Sequence, residues 1–225
     1  MLEKRRHEIM KTKKPKVTEI LHHLGEEDLP FGAVNPPIFQ TSIFSFKTFA
    51  DFKNALKDEK NSYIYSRGNN PTVNLVEEKI AELEHGEKAK LVSSGVAAIS
   101  GSMMAFLKSG DHVISVRDVY GWTKTLLEKY LKRFNVSFSY VEGTDPEEIE
   151  KNINKNTKII YLESPTTFSF KIQNLKQIAK IAKKHGIKTI IDNSWATPIF
   201  QNPIDYGIDL VVHSVSKYIG GHSDV

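Results

Sequence analysis

The sequence of 225 residues contains no cysteine, which excludes disulfides, thiolate metal sites and a cysteine nucleophile. It has no long uninterrupted apolar run, so we expect no membrane span. The basic N-terminus is not followed by the apolar core of a signal peptide, and this favours a cytoplasmic protein. His22 and His23 have no partner at a metal-ligand spacing, so we also expect no metal site.

The excess of positive charge is small and concentrated at one end. The formal net charge is +4, and much of it comes from residues 1–16. A nucleic-acid-binding arm is one interpretation of this segment. It lacks interleaved aromatic residues and any docking motif, however, so a solvated tail is favoured and no nucleic-acid partner is expected.

Residues 17–46 are rich in apolar side chains, but proline at 30, 36 and 37 prevents long regular elements. Such a segment needs a surface to lie on, either in this chain or in a neighbouring subunit. We therefore predict an N-terminal arm over residues 1–46 and one large domain over residues 47–225. A short helix is expected at 47–57. A second follows Pro71, with Leu75, Val76, Ile80 and Leu83 buried and its glutamates, including Glu77 and Glu84, exposed.

From residue 89 onward, short β-branched runs alternate with helical patterns of about a dozen residues. This alternation is typical of an α/β protein with a mostly parallel sheet covered by helices on both faces. The strands are predicted at 89–93, 112–116, 136–141, 158–162, 187–191 and 210–213, and the helices at 96–107, 120–134, 146–153 and 174–185.

Polar residues follow several of these strands, where α/β proteins collect their ligands. Ser94, Gly95 and Val96 open a helix and could give backbone amides to an anion. Ser214 and Ser216 could donate to phosphate oxygens. At 63–72 lies a turn-rich loop whose phenol and guanidinium, Tyr65 and Arg67, are also suited to a phosphate, although an ordinary surface role is equally open.

The same strand ends carry a carboxylate, an aromatic ring and an amine: Asp192, Tyr120 and Lys217. Taken singly, Asp192 could cap a helix, Tyr120 could belong to the core and Lys217 could be a surface lysine. Together with the candidate phosphate-binding residues, these three residues indicate a pyridoxal 5′-phosphate (PLP) site. Asp192 would pair with the pyridine nitrogen and Tyr120 would stack on the ring. Lys217 would hold the aldehyde and move protons.

The sequence resembles the Cys/Met-metabolism family of PLP-dependent enzymes, which includes cystathionine γ-synthase, the cystathionine β- and γ-lyases and methionine γ-lyase. The resemblance runs from about residue 18 to the end. It rests on a set of matching motifs, Tyr65-Ser66-Arg67, Asn70-Pro71-Thr72, Ser93-Ser94-Gly95, Asp118-Val119-Tyr120-Gly121, Glu163-Ser164-Pro165, Asp192-Asn193-Ser194 and Ser214-Val215-Ser216-Lys217.

This resemblance implies a fold-type-I PLP enzyme, with residues 47–225 as its cofactor-binding domain and Lys217 as the Schiff-base lysine. It implies that Tyr65 and Arg67 reach the cofactor phosphate of a neighbouring subunit, so that the site forms in a homo-oligomer, a dimer of dimers. The substrate would be a sulfur amino acid or an O-acylated precursor. Elimination or replacement would occur at the β or γ carbon.

Two departures from the family pattern matter. The family commonly has an Asn-Pro pair where this chain has Thr167-Phe168; some β-lyase-like members also lack it, which slightly favours a cystathionine lyase. The resemblance also implies a smaller C-terminal domain, with an arginine for the substrate carboxylate, beyond residue 225. A catalytically incomplete cofactor-binding subunit or fragment and an O-acylhomoserine-dependent synthase therefore stay open as alternatives.

Overall fold

The chain divides into two compact units, Met1–Leu91 and Val92–Val225. A computed structural model describes residues 15–222 of them. The basic segment before residue 15 and the motif residues Ser223 and Asp224 lie outside the described residues. The predicted boundary between residues 46 and 47 stays a prediction.

Within the first unit, short helices are joined by irregular chain. Helix α1 spans Val17–His23, a 3₁₀ turn spans Pro30–Gly32, α2 spans Phe49–Lys57, a second 3₁₀ turn spans Glu59–Asn61, and α3 spans Pro71–Leu83. Helix α2 begins after Thr48, whose hydroxyl accepts from the Asp51 amide at 3.1 Å while the Asp51 carboxylate accepts from the Thr48 amide. This reciprocal pair satisfies two helix-end donors and fixes the start of α2.

The arm is tied to the start of α3 by side-chain hydrogen bonds. Asn70 caps α3 by accepting from the Thr72 amide at 3.0 Å, and its Nδ2 donates to the Phe39 carbonyl at 2.9 Å. The Thr72 hydroxyl accepts from the Phe39 amide at 2.9 Å and donates to the Pro37 carbonyl at 3.0 Å. The motif Asn70-Pro71-Thr72 therefore anchors the extended chain at residues 37–39 to the start of α3 through side-chain hydrogen bonds.

Val76, predicted to be buried, is exposed. Two further expectations, which concern residues 77–93, are also wrong. Glu77 and Glu84, predicted to be exposed, are buried. Residues 89–93, predicted to be a strand, have no regular structure. One contact explains part of both results, because Glu77 accepts from the Leu91 amide at 2.9 Å and from Lys90 Nζ at 2.6 Å. The backbone of this segment thus bonds to a side chain instead of to a strand.

The second unit is built on a five-stranded parallel sheet in the order β2-β1-β3-β4-β5. The strands are β1 His112–Val116, β2 Ser137–Val141, β3 Thr157–Glu163, β4 Lys188–Asp192 and β5 Leu210–Val212. Strands β1, β3 and β4 are central, and nearly all their side chains are buried. This burial explains their continuous apolar runs and confirms the predicted sheet.

Helices cover both faces of this sheet. They are α4 Gly95–Met104, α5 Gly121–Thr125, α6 Pro146–Lys151, α7 Leu175–His185 and α8 Thr197–Phe200. The chain passes from β1 to β2 in one direction and from β3 to β4 in the other, so right-handed crossovers place α5 and α7 on opposite faces. Helix α4 packs with α5, and α6 packs with α7. The α/β class with helices on both faces is confirmed.

Helix ends follow the signals in the sequence, with one exception. Asp145 caps α6 by accepting from the Glu147 amide at 2.9 Å, and Gly186 closes α7 in the left-handed conformation with φ 66°. The single helix predicted at 120–134 is instead α5 followed by a π-helical turn, Leu126–Tyr130, and a 3₁₀ turn, Leu131–Phe134. Over residues 15–222, no helix is long and apolar enough to cross a membrane.

Candidate active site

The carboxyl ends of the five strands meet at one edge of the sheet, because all of them run in parallel. The chain leaves β1 toward β2 on one side and returns to β3 on the other, which makes the gap beyond β1 and β3 the switch point where such sheets bind ligands. Register places Asp192 of β4 beside Glu163 of β3 and Val212 of β5. Residues from three neighbouring strand ends therefore face the same space.

Helix α4 brings its amino end to this edge. Ser94 caps the helix, since its hydroxyl accepts from the Ala97 amide at 3.1 Å and its carbonyl accepts from the Ala98 amide at 3.0 Å. The next orphan amides, those of Gly95 and Val96, are the ones that an anion can take. The helix is held close to the loop after β5, because a Cβ built on Gly95 would lie only 2.8 Å from Ser214 Cβ. Gly95 and Ser214 thus lie in close contact at this edge, with Ser94 and Val96 as the chain neighbours of Gly95.

The loop after β5 carries the amine. Its turn is closed by a hydrogen bond of 3.0 Å from the Lys217 amide to the Ser214 carbonyl. The hydroxyls of Ser214 and Ser216 are 3.3 Å apart, so two hydroxyl groups stand beside the amino end of α4. Lys217 Nζ lies 4.8 Å from the centre of the Tyr120 ring, within the range of a cation–π contact. Tyr120 follows β1 and Lys217 follows β5, so only the tertiary fold brings them together.

Asp192, the last residue of β4, is almost wholly buried. Its Oδ1 accepts from the Ser194 amide at 2.9 Å, and the Ser194 hydroxyl accepts in turn from the Ser214 amide at 2.7 Å. Ser194 therefore connects the carboxylate to the loop that carries the lysine. A buried carboxylate needs donors or a cation to offset the loss of water, and its position suits a protonated ring nitrogen.

Glu163 is a second buried carboxylate at this edge, and no role beyond membership of a motif was predicted for it. Its Oε2 accepts from the Tyr120 amide at 2.8 Å, and its Oε1 accepts from the Thr167 hydroxyl. Burial raises the pKa of Glu163 to about 7; the Thr167 hydrogen bond opposes this, and the nearby charge of Asp192 adds to it. Its place directly after a buried apolar run, like that of Asp192, was the available signal.

Tyr161 lies two residues before Glu163 on the same face of β3 and is completely buried. Burial raises the pKa of its phenol well above the usual value, and the negative charges of Asp192 and Glu163 raise it further. The phenol thus stays protonated beneath the two carboxylates.

Tyr65 and Arg67 lie in the loop at 63–72 of the first unit. The Arg67 guanidinium lies 5.4 Å from the centre of the Tyr65 ring, and both side chains are exposed. A backbone bridge between Ile43 and Tyr65 and a turn closed from the Gly68 amide to the Tyr65 carbonyl at 2.8 Å hold the loop. The two groups are thus paired and accessible, and their predicted role in a neighbouring subunit stays a prediction.

The residues at the strand edge fit pyridoxal phosphate. The close approach of Gly95 to Ser214 leaves helix amides and hydroxyls for a phosphate, and Asp192 offers a buried negative charge for a protonated ring nitrogen. Tyr120 offers an aromatic face, and Lys217 stands beside it with the amine that an aldehyde requires. Fold and site together define the class, a parallel α/β protein whose strand edge fits pyridoxal phosphate.

Comparison with known proteins gives the family. The sequence profile of the family described as Cys/Met metabolism PLP-dependent enzyme matches residues 17–225. The chain belongs to this family, and its cofactor is pyridoxal 5′-phosphate.

Relatives of this chain are named for different reactions. The L-methionine gamma-lyase of Treponema denticola is 39% identical over 90% of this chain and 51% of the relative. The cystathionine beta-lyase MetC of Staphylococcus haemolyticus is 42% identical over 93% of this chain and 51% of the relative. The chain thus spans about half the length of these curated relatives.

A solved structure gives the same result for the fold. The metY protein of Campylobacter jejuni, assigned as an O-acetylhomoserine (thiol)-lyase, matches with a TM-score of 0.85 at 32% identity. The match covers 92% of this chain and 51% of that protein, whose structure contains N′-pyridoxyl-lysine-5′-monophosphate. Proteins named as a methionine lyase, a cystathionine lyase and an O-acetylhomoserine (thiol)-lyase are therefore all similar to this chain, at 39%, 42% and 32% identity.

Proposed function

We propose that this chain provides the cofactor-binding half of a PLP-dependent carbon–sulfur lyase or γ-replacement enzyme of sulfur amino-acid metabolism, with a cystathionine lyase slightly favoured. The observation that carries the proposal is the position of Lys217 Nζ, 4.8 Å from the centre of the Tyr120 ring at the strand edge that holds buried Asp192. When bound, the cofactor withdraws electrons from bonds at the α carbon of an amino acid.

Each residue has a distinct task in this proposal. Lys217 holds the cofactor and, once displaced by the substrate amine, takes the α proton at Nζ. Asp192 keeps the ring nitrogen protonated, because a buried negative charge favours the positive form of its partner. The amides of Gly95 and Val96 and the hydroxyls of Ser214 and Ser216 bind the phosphate.

Tyr120 has two tasks in the same proposal. Its ring confines the cofactor from one face, and its hydroxyl can assist the transfer of a proton to or from a leaving group. The β and γ reactions share the first proton removal by Lys217, and a γ reaction needs a second one. The residues described here serve both reactions equally, so the substrate half of the site decides between them.

Covalent attachment to Lys217 gives the direct test. The purified chain is incubated with pyridoxal phosphate, the visible absorbance is recorded, and the adduct is fixed with borohydride and located by peptide mass. We expect a visible band and a label on Lys217. Lys217→Ala should lose both, whereas Lys158→Ala, which removes an exposed lysine from β3, should keep them. A persistent band in Lys217→Ala would exclude the assignment.

Turnover of L-cystathionine then separates the reactions. Pyruvate indicates β-elimination and 2-oxobutyrate indicates γ-elimination, while consumption of an O-acylhomoserine together with cysteine indicates replacement. A protein that carries the cofactor but forms no product in any of these assays would instead be a catalytically incomplete cofactor-binding subunit.

We further propose that the site is completed by a second subunit in a cytoplasmic homo-oligomer. Apolar side chains of the arm support this, because Phe31, Val34, Ile38 and Ile43 are largely exposed in the single chain and large exposed apolar groups mark interaction surfaces. Arg67→Ala should weaken cofactor binding if Arg67 reaches a partner's phosphate. Unchanged binding in a proven oligomer would refute that contact.

A further inference from the structure

The chain segment after β3 is clamped onto the segment after β1. The Thr167 amide donates to the Asp118 carbonyl at 2.9 Å. The Asp118 carboxylate accepts from the Ser169 hydroxyl at 2.7 Å and from Lys171 Nζ at 3.3 Å. Within this clamp Glu163 makes a separate contact, since it accepts from both the Tyr120 amide and the Thr167 hydroxyl.

Internal hydrogen bonds also hold the loop from residue 166 to residue 171 in one shape. The Thr166 amide donates to the Lys171 carbonyl at 3.0 Å, and the Lys171 amide donates back to the Thr166 hydroxyl at 2.8 Å. The Thr166 and Ser169 hydroxyls are also 2.8 Å apart. Thr167 is therefore presented to Glu163 by a loop that is closed on itself, so its hydroxyl has a fixed position.

We propose that Glu163 and Thr167 are positioning residues which hold the backbone of Tyr120, so that its ring keeps its place beside the Lys217 amine. The proposal rests on the proposed function for the use made of Tyr120 and Lys217. It concerns a different pair of side chains from those proposed to bind the cofactor.

Burial is the main physical argument for this role. The Glu163 carboxylate is only 8% exposed. Burying such a charge costs roughly several kilocalories per mole unless hydrogen-bond donors compensate it, so each donor to Glu163 stabilises the fold. Both donors to Glu163 come from the segments that carry Tyr120 and Thr167. The hydroxyl of Thr167 can also reverse, accepting instead of donating, when the carboxyl takes up a proton. The contact therefore survives a change in protonation.

Charged or titratable side chains from three segments of the chain lie around Glu163. Asp192 faces it from β4, Lys217 acts on it from the loop after β5, and Tyr161 lies two residues back on its own strand. The Tyr120 amide faces it from the start of α5. The Thr167 hydroxyl and the Tyr120 amide are thus the two neutral donors to Glu163, beside the charged groups of Asp192 and Lys217, and removing the hydroxyl leaves Oε1 without its donor.

Amide hydrogen exchange of Tyr120, measured by NMR on the chain without added cofactor, tests the contact directly. Loss of a hydrogen bond worth about 1 kcal/mol corresponds to an exchange rate that rises about five- to tenfold. We expect this rise in Thr167→Val, which removes the hydroxyl and keeps the shape. We expect a rate near that of wild type in Thr167→Ser, which keeps the hydroxyl. The Arg117 amide, bonded to the Val141 carbonyl at 2.8 Å, serves as the internal reference.

Glu163→Ala and Glu163→Gln form a second pair of variants. We expect faster exchange of the Tyr120 amide in Glu163→Ala than in Glu163→Gln, because the glutamine can still accept from this amide. If Glu163→Ala fails to fold, Thr167→Val decides the question. Lys171→Met is the matched control, since it removes the ammonium donor to Asp118 and keeps the backbone bonds that close the loop and both donors to Glu163. Unchanged exchange of Tyr120 in Thr167→Val would overturn the proposal.

The consequence for the ring is read from visible circular dichroism after pyridoxal phosphate is added. We expect lower ellipticity per bound cofactor in Thr167→Val and recovery in Thr167→Ser. Faster exchange with unchanged ellipticity would also overturn the proposal, because the contact would then be structural only. If the wild-type chain shows no visible band, the proposed function fails, while the exchange rates still decide whether Glu163 and Thr167 hold Tyr120.

Discussion

Replacing Gly95 by alanine tests how closely helix α4 approaches the loop that carries the lysine. The new Cβ would lie 2.8 Å from Ser214 Cβ, 2.9 Å from its Oγ and 3.2 Å from its Cα. Carbon atoms in good contact lie about 3.5–4.0 Å apart, so helix and loop must separate by roughly half an ångström or more. Rotation of the serine cannot relieve the contacts with Cβ and Cα.

We expect Gly95→Ala to lower the free energy of unfolding by about 1–3 kcal/mol, the usual cost of overpacking a close contact. Gly101 lies in the same helix, is exposed, and has no atom within 4 Å of an added Cβ. Gly101→Ala should therefore stabilise the chain by about 0.5–1 kcal/mol, because alanine loses less conformational freedom than glycine in a helix interior. The same substitution thus has opposite signs at two positions of one helix.

Urea unfolding followed by tryptophan fluorescence provides the measurement. Both tryptophans, Trp122 and Trp195, lie in the second unit, so the signal reports on the unit that holds α4. Ser214→Gly in the Gly95→Ala background removes two of the three clashing atoms and should recover part of the loss. The reasoning is refuted if Gly95→Ala is as stable as wild type, or if Ser214→Gly makes the double variant less stable than the sum of the single changes.

Two predictions concern pH. The pKa of Glu163 is about 7 in the folded chain, above the ordinary value of 4.5, so stabilisation that is present in acid is lost as pH rises. The loss is about 2.5 kcal/mol between pH 5 and 8. Glu163→Gln should remove it, with exposed Glu147→Gln as the charge control, and an unchanged pH profile in Glu163→Gln would contradict the prediction. Burial lowers the pKa of His112, so the free energy of unfolding decreases as pH falls below about 6.5. His112→Phe should reduce the difference in urea midpoint between pH 7 and pH 5, and an unchanged difference would count against the prediction.

The buried histidine shows what local pattern can and cannot predict. His112 was placed correctly at the start of a strand. Its two ring nitrogens, however, lie 2.9 Å from the Thr157 hydroxyl of β3 and 3.0 Å from the Ser139 hydroxyl of β2. These partners are 45 and 27 residues away in sequence, and no periodicity in the neighbourhood of a residue encodes such contacts.

Segments 89–93 and 120–134 show the same limit in secondary structure. The apolar run at 89–93 fits a strand, but Glu77 takes its Leu91 amide and no sheet edge offers it a partner. The pattern at 120–134 is helical, and the structure keeps it helical while changing the hydrogen-bond spacing twice. At 89–93 a tertiary contact therefore overrode local propensity, because the Glu77 side chain offered the backbone another partner.

The sequence by itself determined the parallel sheet and most of the residues at its carboxyl edge. Alternating apolar runs and helices dictate parallel strands, and parallel strands place Tyr120, Asp192 and Lys217 at one edge whatever the details of packing. Only the tertiary structure decided the close approach of Gly95 to Ser214 and the burial of Glu163 against the Tyr120 amide. The physical reason is that periodicity is a local property, whereas burial and donor contacts depend on segments distant in sequence that meet only in the folded chain.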